Sequence, residues 1–203
     1  PRPHCPRCGA TRILALAEPG RCAECSSWPV ALGGAGSPFL MQGGAARLVH
    51  ALKYGGWFAL AEPMGRSLEP HALRLAQAEP HLLEPVPLPP ARRRERGFNQ
   101  AELLALALGR ATGWPVGASL TRAGRRRQAR LGREERRENA RGAFGVRPDA
   151  PVGRGAGLPV LLVDDVLTTG ATAAACSAAL AGAGRHVTGV VVFARALQTL
   201  GDG

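Results

Sequence analysis

Two adjacent carboxylates followed by a run of hydroxyls are the residues best placed to do chemistry. Residues 160–172 read Val-Leu-Leu-Val-Asp-Asp-Val-Leu-Thr-Thr-Gly-Ala-Thr. Four apolar residues in succession predict a buried parallel strand. Ala171–Leu180 is helix-prone, so the stretch is strand, loop, helix, with the loop where open parallel sheets bind ligands. Backbone N–H groups from Thr168, Thr169, Gly170, Ala171 and Thr172, together with the threonine hydroxyls, can surround a phosphate at a helix N-terminus. Gly170 permits close approach or positive φ. Asp164 and Asp165 would repel a phosphate beside them, but vicinal sugar hydroxyls are donors that two anionic acceptors can bind. A site with a hydroxyl-binding half and a phosphate-binding half suits a ribose 5-phosphate. The bland alternative is an acid-capped strand leading into a helix with no ligand.

Four of the five cysteines form a second constellation: Cys5-x2-Cys8, thirteen intervening residues, then Cys22-x2-Cys25. Two such knuckles match a closed structural Zn²⁺ site with four thiolate ligands. His4 is a conceivable ligand, made unnecessary by the fourth thiolate. Two disulfides are the alternative, disfavoured where thiols stay reduced. Cys176, in the helix after the hydroxyl loop, reads as a small core residue.

Charge points to polyanions. The formal net charge is +11, and Lys53 is the only lysine among 26 basic residues. Thr121–Arg141 holds nine arginines against three glutamates, and Arg92, Arg93, Arg94 and Arg96 surround Glu95. Nucleic acid and pyrophosphate are the expected partners, against the simpler reading of a solvated basic surface. Aromatics are 4% of the chain, so few are expected on the surface to stack on bases, and phosphate contacts should dominate. No run approaches the ~20 apolar residues of a membrane span. No signal peptide is recognisable, and a cytoplasmic protein is expected.

The elements that must position these groups follow from periodicity. Residues 1–32 form the cysteine ribbon, which cannot build a core without metal. Residues 33–38, Gly-Gly-Ala-Gly-Ser-Pro, read as a linker, and 39–203 as the globular domain. Ala45–Tyr54 is a helix ended by Gly55-Gly56. Glu62–Ala78 is helical but kinked or divided at Pro70. Leu82–Leu88 is a strand whose prolines place it at an edge or an end, and Pro89–Gly97 is a charged loop. Asn99 caps the next helix, with Glu102 as its capping-box partner, and Gly113 ends it. Ala143–Val146 is a short strand, residues 148–158 a loop, and His186–Ala194 a β-rich run that closes the sheet. Alternating strands and helices predict an α/β fold with a mainly parallel, doubly wound sheet.

The acid pair and Thr-Thr-Gly-x-Thr resemble the phosphoribosyl-pyrophosphate motif of type I phosphoribosyltransferases. The same order of motifs continues along the chain. His50-Ala51-Leu52-Lys53-Tyr54 precedes Pro85-Val86-Pro87-Leu88. Arg96-Gly97-Phe98-Asn99-Gln100 comes next, then Leu120-Thr121-Arg122, Gln128 and Arg137-Glu138-Asn139. With the four-cysteine ribbon in front, nearly the whole chain resembles the ComF family of competence proteins. The resemblance implies a type I phosphoribosyltransferase-like sheet preceded by a zinc ribbon. It implies that Asp164 and Asp165 take ribose hydroxyls and that Thr168–Thr172 hold the 5-phosphate. Val86–Arg92, with Pro87, Leu88 and Arg92 and with Arg96 beyond it, would be the pyrophosphate loop. Arg122, Arg125, Arg126, Arg127 and Arg137 would lie in a mobile hood. Mg²⁺ would arrive with the diphosphate. The family usually carries a basic-Thr step before the glutamine; Arg125-Arg126-Arg127 stands here, keeping the charge and losing the hydroxyl. Three functions are in view: a phosphoribosyltransferase with an unidentified acceptor, a competence protein handling single-stranded DNA alongside other competence proteins, and a regulator whose nucleic-acid affinity responds to sugar phosphate.

Overall fold

The computed structural model describes residues 5–10, 22, 25–122, 143–147 and 155–196. Its centre is a parallel sheet. The two longest strands, β6 (Val160–Leu167) and β7 (Val187–Arg195), pair along most of their length. Both are nearly continuous apolar runs, as expected of strands covered on both faces. β3 (Leu82–Pro85) pairs with the other side of β6, from Leu82↔Val160 to Pro85↔Val163. The far edge of β7 carries two short strands in line, β1 (Gly34–Gly36) and β2 (Phe39–Leu40). Every pairing in this five-stranded sheet is parallel. A separate antiparallel pair joins β4 (Leu120–Arg122) to β5 (Phe144–Val146).

Side-chain alternation along the strands divides the core into two layers. Leu161, Val163, Val191 and Phe193 pack with Val49, Leu52, Met64, Leu104 and Leu108. That layer comes from α1 (Gly43–Tyr54), α2 (Ala61–Arg66), α3 (Glu69–Ala76) and α5 (Gln100–Thr112). On the opposite face, Val160, Leu162, Val190 and Val192 pack with Cys176 and Leu180 of α6 (Ala171–Gly182) and with Cys5, Cys8, Cys25 and Trp28. The four-cysteine segment thus helps to cover one face of the sheet. The fold is α/β with a mainly parallel sheet and helices on both faces, as the alternating pattern predicts.

Three local expectations need correction. The linker expected over 33–38 instead contains β1, whose three residues are all buried. Its glycines serve close approach. A Cβ on Gly34 would stand 3.1 Å from the Arg7 carbonyl oxygen, and one on Gly36 would stand 2.9 Å from His71 Cβ of α3. The charged loop expected over 89–97 is mostly helix, α4 (Pro90–Arg96). Pro90 is pre-organised for its first turn and Gly97 ends it at φ 78°. The capping box of α5 is half formed: Asn99 Oδ1 accepts from the Ala101 N–H at 3.1 Å, while Glu102 pairs with Arg93 at 3.3 Å. Pro70 divides the helical region as expected, falling in the first turn of α3.

Candidate functional site

β6 carries the acid pair in its carboxyl-terminal half, just past the end of β3 and opposite Val192 of β7. Asp165 is buried, and its Oδ2 is in ionic contact with Lys53 Nζ from the last turn of α1 at 2.6 Å. Among the described residues that contact is the one partner of an otherwise orphaned carboxylate oxygen. Asp164 is half-buried, with part of its surface open to the cleft and protein packed closely around the rest. Its Oδ1 accepts the Asp165 backbone N–H at 2.8 Å. Burial, and then the neighbouring Asp165 charge, push the Asp164 carboxyl well above the usual carboxylate range, against a smaller pull from Lys53.

The carboxylates open onto a cleft of about 290 Å³. Lys53 and Tyr54 line it from α1, and Pro87 and Leu88 from the segment after β3. Arg92 and Arg96 come from α4, Gln100 from the start of α5, Arg122 from the end of β4, and Thr172 from the first turn of α6. Four cations thus face two carboxylates. Arg96 donates to Gln100 Oε1 at 3.2 Å and to the Tyr54 hydroxyl at 3.1 Å, and its guanidinium stacks 4.8 Å from the Tyr54 ring centre. Asn99 does not line the cleft. It is buried, donating to the Val86 carbonyl at 3.0 Å while capping α5, which ties that helix start to the cleft wall.

Arg122 is held by the base of the β4–β5 pair. Glu84 of β3 is fully buried and accepts from the Leu120 N–H at 2.7 Å and the Ser119 hydroxyl at 3.0 Å. Burial raises its pKa, with these donors pulling the other way. The Arg122 guanidinium stacks 4.9 Å from the Phe144 ring centre. Arg125, Arg126, Arg127, Gln128 and Arg137 lie outside the described residues.

The hydroxyl loop is only partly turned into the cleft. Thr172 lines it, whereas Thr168 and Thr169 are exposed and are not among its walls. Gly170 is the N-cap of α6 at φ 79°, a conformation that favours glycine. Ala171 is the first helical residue, and its N–H donates to Thr169 Oγ1 at 3.4 Å. The Trp28 indole N–H donates to the Thr169 carbonyl at 3.0 Å. Sequence reasoning did not single out Trp28, because nothing local in its neighbourhood signals a loop 141 residues away.

The four N-terminal thiols converge. Sγ atoms of Cys5 and Cys25 are 3.8 Å apart, those of Cys8 and Cys22 are 3.7 Å apart, and all four lie within 4.8 Å of one another. These separations far exceed the ~2.05 Å of a disulfide. They fall near the ~3.8 Å edge of a tetrahedron with metal–sulfur bonds of ~2.3 Å. Burial pushes the Cys8 and Cys25 thiols up. It is also the largest single effect on Cys5, but hydrogen bonds from the backbone of Cys8 and Arg7 and from the Cys8 and Cys25 thiols together outweigh it and bring the thiol down to about 7. Buried thiols are costly to ionise without a cation, and backbone donors to sulfur suit a thiolate ligand. The cluster can hold one metal ion.

Among the described residues no helix is long and apolar enough to cross a membrane. The surface differs from expectation in one respect. Tyr54, Trp57 and Phe58 are each more than half exposed within one five-residue stretch, and Tyr54 lines the cleft. No protein-family model and no curated protein sequence matches this chain.

Proposed function

We propose that the protein is a phosphoribosyltransferase-like member of the ComF family. Its cleft binds phosphoribosyl pyrophosphate or a related ribose 5-phosphate, and its surface handles single-stranded DNA during DNA uptake. The observation that carries the ligand reading is the meeting of Asp164, Asp165 and Thr172 with Lys53, Arg92, Arg96 and Arg122 in one cleft. Asp164 accepts sugar hydroxyls, the turn at Gly170–Thr172 takes the phosphate, and the arginines opposite take diphosphate charge. Mg²⁺ carried in with the diphosphate would help these residues neutralise the remaining charge. The N-terminal unit is a zinc ribbon, supported by the tetrahedral spacing of four thiols.

Turnover is the alternative reading. An acceptor nucleophile would bond to the anomeric carbon as the C–O bond to pyrophosphate breaks, pyrophosphate leaving with the electron pair. Arg92, Arg96 and Arg122 favour this reading, because cations lining the same cleft as the acid pair could stabilise negative charge on a leaving group.

The DNA reading draws on charge and on the exposed aromatics. α4 presents four arginines and buries none of its residues. Tyr54 contacts its Arg96, Phe58 packs edge-on against Phe98 just past its end, and a groove of about 480 Å³ runs past Trp57 along Arg47, Leu48 and Ala51 of α1. Exposed rings beside a cationic track are what sequence-tolerant binding of single strands uses. The test is binding of a labelled single-stranded oligonucleotide and of phosphoribosyl pyrophosphate, each with and without the other. Trp57→Ala should weaken oligonucleotide binding about tenfold and leave its salt dependence unchanged. Replacing Arg125, Arg126 and Arg127 by alanine should flatten the salt slope by up to about three phosphate contacts. An unchanged slope with lost diphosphate binding would assign those arginines to the sugar-phosphate site alone.

A further inference from the structure

Trp28 sits three residues past Cys25, and its backbone N–H donates to the Cys25 carbonyl at 3.2 Å. Its indole is buried against the hydroxyl loop. The ring N–H donates to the Thr169 carbonyl at 3.0 Å. The ring also lies so close over Gly170 that a Cβ there would be 2.5 Å from Cε2, Cζ2 and Nε1. The loop backbone is therefore pinned at two successive residues by one side chain.

That side chain is fixed by the second cysteine knuckle. Arg7 donates to the Cys25 carbonyl at 3.0 Å, to Pro29 at 2.9 Å and to Leu32 at 2.8 Å, and its guanidinium stands 5.8 Å from the Trp28 ring centre. The first knuckle is tied to the sheet: Arg195, at the end of β7, donates to the Cys8 carbonyl. Thiolates drawn to one metal would hold both knuckles together, and so hold Trp28 against the loop.

We propose that Trp28 is the positioning residue of the anion loop, and that metal in the four-cysteine unit sets the loop's order and its affinity for a phosphate monoester. The affinity half of this proposal rests on the phosphate-binding reading of the loop; the ordering half does not. Because coupling between sites is reciprocal, a phosphate ligand on the loop must tighten metal binding by the same factor that metal tightens the phosphate ligand.

The test uses the full-length, zinc-loaded protein and the variants Trp28→Phe and Trp28→Ala, with hydrogen exchange at residues 168–172 as the primary readout. Trp28→Ala should speed loop exchange about tenfold while retaining one zinc per chain. Trp28→Phe, which keeps a ring over Gly170 but loses the N–H donor, should speed it about threefold. Stripping zinc from the wild type should speed exchange about as much as Trp28→Ala does, and stripping the alanine variant should add little. Ribose 5-phosphate should bind the alanine variant about tenfold more weakly and should slow zinc loss to a chelator in the wild type only. If the alanine variant fails to retain zinc, the phenylalanine variant carries the test. Loop exchange unmoved by either substitution, or equally sensitive to zinc removal with and without Trp28, overturns the proposal. Ribose 5-phosphate failing to bind a wild type whose loop responds as expected would sink the phosphate reading and leave the ordering half standing.

Discussion

Removing metal from the four-cysteine unit, or replacing Cys8 by serine, should lower the melting temperature of the whole protein by about 10 °C or more. A merely appended ribbon would melt alone and leave the sheet untouched. Here Cys5, Cys8, Cys25 and Trp28 share a buried cluster with Val160, Leu162, Val190 and Val192. Losing the unit uncovers the part of one face of the two central strands that α6 leaves to it. Zinc bound by structural thiolates contributes apparent free energies of ~10–16 kcal/mol, comparable to the ~5–15 kcal/mol total stability of a domain. A loss of only ~3–5 kcal/mol already moves the midpoint by about 10 °C in a chain of this size. Calorimetry with and without a strong chelator reads the effect, and elemental analysis should give one zinc per chain. Absence of zinc in native protein whose four thiols alkylate freely would refute this.

Asp164→Asn should strengthen the ligand-free protein and disable it. The wild type holds a carboxyl whose pKa is raised by burial and by Asp165. The folded state therefore keeps a proton that the unfolded chain gives up. Stability falls as pH rises from the ordinary carboxylate range through the raised value. The asparagine variant lacks that dependence and should melt about 2–4 °C higher at neutral pH, for a gain of ~1 kcal/mol. Ribose 5-phosphate affinity should run the opposite way. It should rise with pH over the same range in the wild type, because the ionised carboxylate is the better hydroxyl acceptor, and fall about a hundredfold in the variant. Free sulfate, which offers no hydroxyls, should bind the variant at least as well. Thermal melts and titration calorimetry across pH separate these effects. Asp165 is a poorer probe: its loss also strips Lys53 of the carboxylate 2.6 Å away.

What could be read from the sequence was whatever is encoded locally. The apolar run of β6, the acid pair, the hydroxyl turn and α6 are consecutive, so pattern and turn chemistry sufficed. The caps at Asn99 and Gly113 and the Cys-x2-Cys spacing are equally short-range. What escaped depends on distant partners. Gly-Gly-Ala-Gly has the composition of a linker, and only the approach of Arg7 and α3 explains why a strand needs those glycines. Pro90–Arg96 was obscured by its charge, since a helix that buries nothing has no apolar stripe. The Lys53–Asp165 pair and the Trp28–Thr169 bond join segments over a hundred residues apart. Low aromatic content says nothing of where the aromatics lie, and Tyr54, Trp57 and Phe58 cluster on the surface.

The most direct measurement compares ribose 5-phosphate, 2-deoxyribose 5-phosphate and inorganic phosphate by titration calorimetry at fixed pH. A carboxylate that reads vicinal hydroxyls beside a phosphate turn predicts that ribose 5-phosphate binds at least about tenfold tighter than its deoxy analogue. Inorganic phosphate should bind weakest, and the sugar preference should vanish in Asp164→Asn. Equal affinity for the two sugars in the wild type, or a preference untouched by Asp164→Asn, would contradict the division of the cleft into a hydroxyl-binding and a phosphate-binding half.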